Sequence, residues 1–365
     1  MQLSPLLLAL LVLVATAQAS PVTRSLTQDE QLQQARDQAA AQVQAAVPMT
    51  PEMQAFLDKY KNTQIPADMT PTASNQLVSS KKPASSAPSL WGSAPSRPTV
   101  STQGVSLMNT FARYSAAAYC VNLFNLADWT CGANCQGGTA GTNDVTSIWK
   151  EPSAFKSLMA VNTNLKVIVV SFRGSLEPQN FVADIRLNLV DGPSRLPNLP
   201  SGAKVHAGFW DTWAVGKSEV VSYVKSARSR YPTFKVYVTG HSLGGAMAVL
   251  AALDLRRTLS IPDSQLAVYT YGEPRVGNPT FASYVSNQSF EISRFVHEDD
   301  VVPHIPLRSW GYAHHRGENY EINSKVYQCT TTGSNEADDC SNSRVPTINI
   351  VSHLMAMDVV FGPWC

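Results

Sequence analysis

Short apolar runs and helical stripes of apolar residues alternate along the chain from Val105 onward. The run 165–172 is almost continuously apolar, which is typical of a strand covered on both faces of a sheet. The runs 235–238, 266–271 and 293–296 predict further strands, and apolar residues at helical spacing follow the run 235–238. Strands that alternate with helices predict an α/β domain with a mostly parallel central sheet.

A Gly-x-Ser-x-Gly motif, Gly240 to Gly244, stands between the strand 235–238 and the Ala- and Leu-rich helix that follows. In that setting the motif is typical of a nucleophile elbow, a tight turn that presents a serine hydroxyl above the end of a sheet. A chance match is the alternative, but the flanking strand and helix favour the elbow. The motif therefore predicts Ser242 as a nucleophile.

A serine hydroxyl needs a general base near neutral pH, and the base needs an acid that fixes its tautomer and stabilises its charged form. In the chain order of α/β-hydrolases both partners follow the serine, first the acid and then the histidine. Asp300 follows the predicted strand 293–296 and is our candidate acid, with Asp299 as the alternative. A solvated acidic turn is the other interpretation of these two residues.

The candidates for the base are His297, His304, His314, His315 and His353. His353 is a polar residue within an apolar run near the C-terminus. Such a histidine is more often a core residue, but the missing base and the chain order favour His353 as the base. We interpret His304, close to Asp300, as structural, and His241, inside the elbow, as packing beneath it.

The oxyanion hole needs hydrogen-bond donors, and loss of one donor costs about 10²–10³ in rate. One donor is expected from Leu243, the residue after the nucleophile, and another from Ser175, which follows the strand 165–172. Residues 176–185 predict a short amphipathic helix. This helix is a candidate lid that exposes apolar surface to a lipid–water interface when it opens. An ordinary surface helix packed on the core fits the pattern equally well.

The charge balance excludes one class of partner. The chain has 28 Lys and Arg against 27 Asp and Glu, and it has no basic stripe of the kind that nucleic acid requires. Residues 1–19 combine an apolar core with an Ala-x-Ala cleavage site, which predicts a secretory signal peptide. The core is shorter than the ~20 residues of a membrane span, and no later stretch is long enough. We therefore expect a secreted, extracellular protein without a transmembrane segment.

Residues 20–96 do not look like a packed domain, because Gln- and Ala-rich helical patterns lead into a Ser- and Pro-rich linker. We predict a pro-segment that ends between residues 83 and 102 and packs on the catalytic domain, residues 97–365. An N-terminal stalk is the alternative interpretation.

The cysteines of a secreted chain are expected to form disulfides. They are Cys120, Cys131, Cys135, Cys329, Cys340 and Cys365. Their spacing favours two short loops, closed by the second with the third and by the fourth with the fifth, which leaves the first to pair with the last. We expect no metal site, because no Cys-x-x-Cys pair or histidine cluster accompanies them, and the serine chemistry implies no organic cofactor.

Six motifs resemble, in the same order, those of the secreted fungal lipases of the Rhizomucor and Rhizopus type, the class 3 lipases. The motifs are FRGS at 172–175, KVHAGF at 204–209, VTGHSLGGA at 238–246, GEPRVGNPTFA at 272–282, HEDDVVPHIP at 297–306 and SHL at 352–354. The resemblance implies an α/β-hydrolase fold with a nucleophile elbow and a short helical lid. It implies a triad of Ser242, Asp300 and His353, an oxyanion hole of Ser175 and Leu243, the same three disulfides, and a pro-region that assists folding.

In the family pattern the lid corresponds to residues 176–184. The residues expected to form it are Leu176, Phe181, Val182 and Asp184. The resemblance implies that Asp184 binds the hydroxyl of Ser175 and that Phe181 stands where relatives often have Trp. Residues 177–179 depart from the serines and the basic residue common in relatives, so the trigger for lid opening is expected to differ.

The resemblance also implies the function, a secreted triacylglycerol lipase that hydrolyses acylglycerol esters at a lipid–water interface through an acyl-enzyme. An esterase such as a feruloyl esterase is the alternative, because it shares the fold and triad but has a more polar flap. A non-catalytic lipid-binding protein on this fold is a further interpretation. The complete set of triad and oxyanion residues argues against it.

Overall fold

The computed structural model of the chain describes residues 95–120, 126–151, 153–176, 188–329, 336–345, 347 and 349–362. The predicted signal peptide and most of the predicted pro-segment precede these residues. The predicted lid residues Phe181, Val182 and Asp184 also lie outside them, as does Cys365. No helix in the described part of the chain is long and apolar enough to cross a membrane.

An eight-stranded sheet forms the centre of the described structure, with the strand order β1-β2-β3-β6-β7-β8-β9-β10. Its strands are β1 Thr142–Trp149, β2 Lys156–Asn162, β3 Val167–Phe172, β6 Lys235–His241, β7 Leu266–Tyr271, β8 Glu291–His297, β9 Glu318–Ile322 and β10 Lys325–Cys329. The five strands from β3 to β9 are parallel, and β1, β2 and β10 add antiparallel edges. The prediction of a mostly parallel central sheet is therefore confirmed.

Two smaller strand pairs and the helices complete the described elements. The pairs are β4 Leu189–Asp191 with β5 Lys204–His206, and β11 Met355–Ala356 with β12 Val359–Val360. The α-helices are α1 Thr102–Ala117, α2 Ala207–Arg230, α3 Leu243–Thr258, α4 Pro279–Ser286 and α5 Ile350–His353. The short 3₁₀ helices are Ala118–Cys120, Leu126–Asp128, Gly132–Cys135, Gly137–Thr139, Asp263–Gln265, Val302–His304, Arg308–Trp310 and Ser341–Arg344.

The almost continuous apolar run of β3 follows from burial on both of its faces. Val167 and Val169 pack in one core with α1, whereas Ile168 and Val170 pack in a second core with α2 and α3. Alternate side chains of a strand point to opposite faces, so a strand between two helical layers needs apolar residues at every position. Because β3 and β6 to β9 run parallel, their carboxyl ends lie at the same edge of the sheet, and the candidate site lies at that edge.

The strands at both edges of the sheet were not predicted from the apolar pattern. β9 is the clearest case, because all five of its residues are buried although Glu318 and Glu321 are charged. Glu318 forms an ion pair of 2.7 Å with Arg294, and Glu321 lies 2.7 Å from Nδ1 of His297. Because buried charges require partners, these two pairs explain how a strand without an apolar pattern becomes part of the core.

Two of the expected disulfides, Cys131–Cys135 and Cys329–Cys340, are present in the structure. Cys120 is buried and also disulfide-bonded. Its expected partner, Cys365, lies outside the described residues, so that pairing stays a prediction.

Candidate active site

Ser242 lies in the turn between β6 and α3, and its backbone has φ 59° and ψ −130°. Such a positive φ is strained for a residue with a side chain and is typical of functional turns. A Cβ on Gly240 would lie 2.3 Å from the carbonyl oxygen of Gly244, and a Cβ on Gly244 would lie 2.2 Å from that of Phe172. The turn therefore requires glycine at both positions, as expected for a nucleophile elbow.

His353 and Asp300 face each other in the buried interior. Nδ1 of His353 lies 3.0 and 3.1 Å from the two carboxylate oxygens of Asp300. Asp300 follows β8 and also accepts a hydrogen bond of 2.8 Å from the N–H of Val302. His353 is the last residue of α5. The carboxylate thus fixes Nδ1 as the protonated nitrogen and leaves Nε2 to act as a base.

Gly272 brings this pair close to the elbow. The N–H of Ser242 donates to the carbonyl of Tyr271, at 2.9 Å. At the next residue, a Cβ on Gly272 would lie 2.7 Å from both Oδ2 of Asp300 and Nδ1 of His353. Oγ of Ser242 and Nε2 of His353 are buried, and neither has a hydrogen-bond partner among the described residues. Neither of the two atoms that a proton transfer would join is therefore held by another hydrogen-bond partner in the described structure.

A buried histidine lies beneath this group. Nε2 of His241 lies 2.7 Å from the carbonyl oxygen of His353, and its Nδ1 lies 2.7 Å from the hydroxyl of Tyr119. Its ring also stacks on Phe361, with centroids 4.0 Å apart. Burial and the nearby His353 lower the pKa of His241 well below its usual value. His241 is therefore neutral and packs beneath the elbow, as the sequence analysis expected.

The predicted oxyanion residues lie at the ends of two adjacent strands. Leu243 is buried at the first position of α3, and Ser175 is half-buried just after β3. Gly174 allows the loop to lie close to Ser242, because a Cβ there would lie 2.8 Å from Cβ of Ser242 and 2.7 Å from the carbonyl oxygen of His241. Of the predicted lid, Leu176 is described, and it is 51% exposed.

The other sequence candidates have different partners. Oδ1 of Asp299, the alternative acid, accepts hydrogen bonds from Asn349 and Ser352. His297 pairs with Glu321, and Nε2 of His315 lies 3.0 Å from Glu273.

Nε2 of His314 lies 2.7 Å from the carbonyl of Pro303. His304 is buried, and that burial together with Arg275 lowers its pKa to about 3. The contact with Pro303 gives His314 a structural role. The buried, neutral His304 is compatible with its structural interpretation.

Sequence reasoning missed the buried Arg275, which lies in the motif at 272–282. Its guanidinium donates to both carboxylate oxygens of Glu336, at 2.7 and 2.6 Å, and to the carbonyls of His304 and Pro306. Glu336 belongs to the loop that the Cys329–Cys340 disulfide closes. The motif at 272–282, which resembles the family pattern, was the only sequence signal for Arg275. It does not indicate that the partner is Glu336, which is far away along the chain.

One group of possible metal ligands occurs among the described residues, Glu318 with Cys329 and Cys340. The two sulfurs are bonded to each other, and a disulfide does not supply the thiolates that bind metals. These residues therefore do not fit a metal centre.

The parallel sheet and the elbow at the end of β6 define an α/β-hydrolase. The family model of class 3 lipases matches residues 169–310. A lipase from Rhizomucor miehei is 36% identical over 267 residues, which are 72% of this chain and 70% of that protein. The chain therefore belongs to the class 3 lipase family and is a carboxylic ester hydrolase.

Solved structures of the same family are also similar. The native propeptide complex of the Rhizomucor miehei lipase has a TM-score of 0.66 at 33% identity, covering 76% of this chain and 90% of that one. A triacylglycerol lipase with a serine protease triad at its catalytic centre has a TM-score of 0.67 at 34% identity, covering 73% of this chain and 99% of that one.

Proposed function

We propose that the protein is a secreted triacylglycerol lipase with Ser242, His353 and Asp300 as its catalytic triad. The observation that carries the proposal is the pairing of Nδ1 of His353 with the Asp300 carboxylate, beside a strained serine whose hydroxyl has no other partner in the described structure. The similar triacylglycerol lipase with a serine protease triad supports the same assignment.

In the acylation step, Nε2 of His353 removes the hydroxyl proton of Ser242 as Oγ attacks the ester carbonyl carbon. The carbonyl oxygen becomes an oxyanion, which accepts hydrogen bonds from the N–H of Leu243 and from Ser175. Asp300 stabilises the imidazolium that forms. The imidazolium then gives its proton to the leaving glycerol oxygen, and an acyl-enzyme remains on Ser242.

Water completes the cycle by the same route. His353 removes a proton from the water, whose oxygen attacks the acyl carbon, and a second oxyanion forms in the same hole. Collapse of this intermediate returns the proton to Oγ of Ser242 and releases a fatty acid.

The proposed lid, residues 176–184, accounts for action at a lipid–water interface. Its support is the amphipathic pattern of the segment and the exposure of Leu176, which is 51%. In the proposed open position, the apolar face of this segment would contact lipid. Asp184 is proposed to bind the Ser175 hydroxyl when the lid closes.

The N-terminal part of the proposal rests on the sequence and on one relative. Residues 1–19 have the pattern of a secretory signal, and residues 20–96 that of a pro-segment. The Rhizomucor miehei lipase forms a propeptide complex, which supports packing of the pro-segment on the catalytic domain in this chain.

Replacement of the nucleophile tests the triad. Ser242→Ala should abolish ester hydrolysis and labelling by an organophosphonate, while its circular dichroism spectrum stays that of wild type. Ser157→Ala is the matched control, because Ser157 is also a buried serine without a hydrogen-bond partner among the described residues. Hydrolysis that persists in pure Ser242→Ala protein would overturn the assignment.

The substrate class is tested by following the hydrolysis rate of tributyrin through its solubility limit. A jump in rate when droplets form is expected of a lipase with an interfacial lid. A smooth saturating curve, combined with efficient hydrolysis of methyl ferulate, would instead support an aromatic-ester esterase.

A further inference from the structure

Asp299 is adjacent to Asp300 but binds a different part of the site. Its Oδ1 accepts hydrogen bonds from Nδ2 of Asn349, at 2.8 Å, and from Oγ of Ser352, at 2.7 Å. Its backbone carbonyl accepts a further hydrogen bond from the hydroxyl of Thr347. All three partners lie in the segment that leads into His353.

This segment needs such contacts because α5 has only four residues. A helix of one turn is not stable by itself, since nucleation costs more than its few hydrogen bonds return. Asn349 caps it, with Oδ1 accepting from the N–H groups of Val351 and Ser352 at 2.9 and 3.0 Å. The carbonyl of Asn349 also accepts from the N–H of Val301, at 3.3 Å. The base therefore stands on a short helix that is attached to the loop 299–301.

Two consecutive aspartates thus both influence the position of His353. Asp300 contacts the imidazole ring directly, and Asp299 contacts the residues that set the position of the His353 backbone. Asp299 and Asp300 are consecutive residues of one backbone. The contacts of Asp299 with Asn349 and Ser352 therefore also hold α5 at a fixed distance from Asp300.

We propose that Asp299 is a positioning residue for the catalytic histidine, an inference that rests on the proposed triad. It sets the position of α5 through Asn349 and Ser352, so that Nδ1 of His353 pairs with Asp300 and Nε2 remains available to the serine. Asp299 contacts neither of the reacting atoms. A displacement of ~1 Å at a reacting group can cost ~10²-fold in rate, so a loosened α5 should lower kcat.

The test compares Asp299→Ala with the conservative Asp299→Asn. The alanine variant lacks the shared acceptor and should lose ~10- to 100-fold in kcat, with little change in KM for the soluble ester p-nitrophenyl butyrate. The asparagine variant keeps an Oδ1 acceptor but no charge, and should recover most of that loss with an unchanged pH profile. If the charge itself acted on His353, Asp299→Asn would fail to restore kcat, which would overturn the proposal.

Ser352→Ala provides a second measurement if Asp299→Ala folds poorly. It removes one of the two hydrogen bonds and should lower kcat less than Asp299→Ala does. The double variant should be about as impaired as Asp299→Ala alone, because both changes disrupt the same contact. Independent, multiplicative effects of the two substitutions would contradict the proposal.

Each rate is divided by the amount of protein whose serine an organophosphonate labels at completion, which gives kcat per labelled serine. A purely structural role would lower the labelled fraction but not kcat per labelled serine, so a value within about twofold of wild type for Asp299→Ala would overturn the inference. Asp339→Ala is the control, since it removes a carboxylate that binds Arg97 at 2.9 Å and should leave kcat unchanged. Ser242→Ala separates the two proposals. If Ser242→Ala is inactive but Asp299→Ala has the kcat of wild type, the role of Asp299 is rejected and the triad stands. If Ser242→Ala stays active, the triad itself is rejected.

Discussion

The hydroxyl of Tyr119 lies 2.7 Å from Nδ1 of His241, whose Nε2 lies 2.7 Å from the carbonyl oxygen of His353. A carbonyl only accepts hydrogen bonds, so Nε2 of His241 carries the proton and Nδ1 accepts from Tyr119. Tyr119 follows α1. The residue that follows α1 is thus connected to the backbone of the proposed catalytic base, His353, through one neutral imidazole.

Tyr119→Phe should therefore destabilise the protein. It leaves Nδ1 of His241 buried without a donor, which costs ~1–3 kcal/mol in the free energy of unfolding. Tyr312→Phe is the matched control, because the Tyr312 hydroxyl is buried and has no hydrogen-bond partner in the described part of the chain. Urea unfolding of the two variants measures the difference, and equal destabilisation would show that the Tyr119 hydrogen bond contributes nothing.

A methyl group at residue 272 should disrupt the proposed triad. Gly272 has φ +54°, and a Cβ there would lie 2.7 Å from both Asp300 and His353. Gly202 has φ +82° with nothing within 4 Å, so Gly202→Ala pays a similar backbone penalty without a steric contact. We expect Gly272→Ala to lose ~10²-fold or more in kcat and Gly202→Ala to keep wild-type kcat. Steady-state kinetics checks this, and a fully active Gly272→Ala enzyme would contradict it.

Local patterns in the sequence predicted the parts of the fold and site whose cause is local. The apolar run of β3 and the glycines of the elbow each have one physical explanation, so Ser242 and its flanking strand and helix were placed correctly. The structure extends the strand before the elbow to His241. β9 was missed because its glutamates are buried by partners on another strand, which no local pattern reveals.

The candidate site shows the same limit. Asp299 and Asp300 have the same side chain and adjacent positions, and position after a strand favours Asp300 only weakly. Their roles separate in three dimensions, where one carboxylate contacts the His353 ring and the other contacts Ser352. No local pattern indicates a polar partner for Tyr119, because His241 lies 122 residues further along the chain.

The buried pair of Arg275 and Glu336 should contribute more to stability than an exposed pair. Their side chains are 1% and 3% exposed, whereas Asp339, which pairs with Arg97, is 50% exposed. Glu336→Gln leaves a buried guanidinium without its counter-charge and should lower the free energy of unfolding by ~3–5 kcal/mol. Asp339→Asn should cost only ~0–1 kcal/mol. Denaturant unfolding without reductant measures both, and similar losses would refute this difference.

The stability of the protein should fall as the pH is lowered, in part because His304 is buried as a neutral side chain. Burial and Arg275 lower the pKa of His304 from 6.5 to about 3. Between these values the unfolded chain binds a proton at this residue that the folded chain does not, so the stabilisation is complete above 6.5 and is lost progressively below it. The slope from this one group approaches about 1.4 kcal/mol per pH unit.

His304→Gln removes this titration and isolates the contribution of His304. The variant should show a shallower loss of unfolding free energy between about pH 5 and about pH 7, by up to about 1.4 kcal/mol per pH unit. It should keep the part that comes from His241 and His314, whose pKa values burial also lowers. Urea unfolding at several pH values provides the measurement. Equal slopes in wild type and variant would mean that His304 takes up a proton in the folded state as readily as in the unfolded chain, against its position beside Arg275.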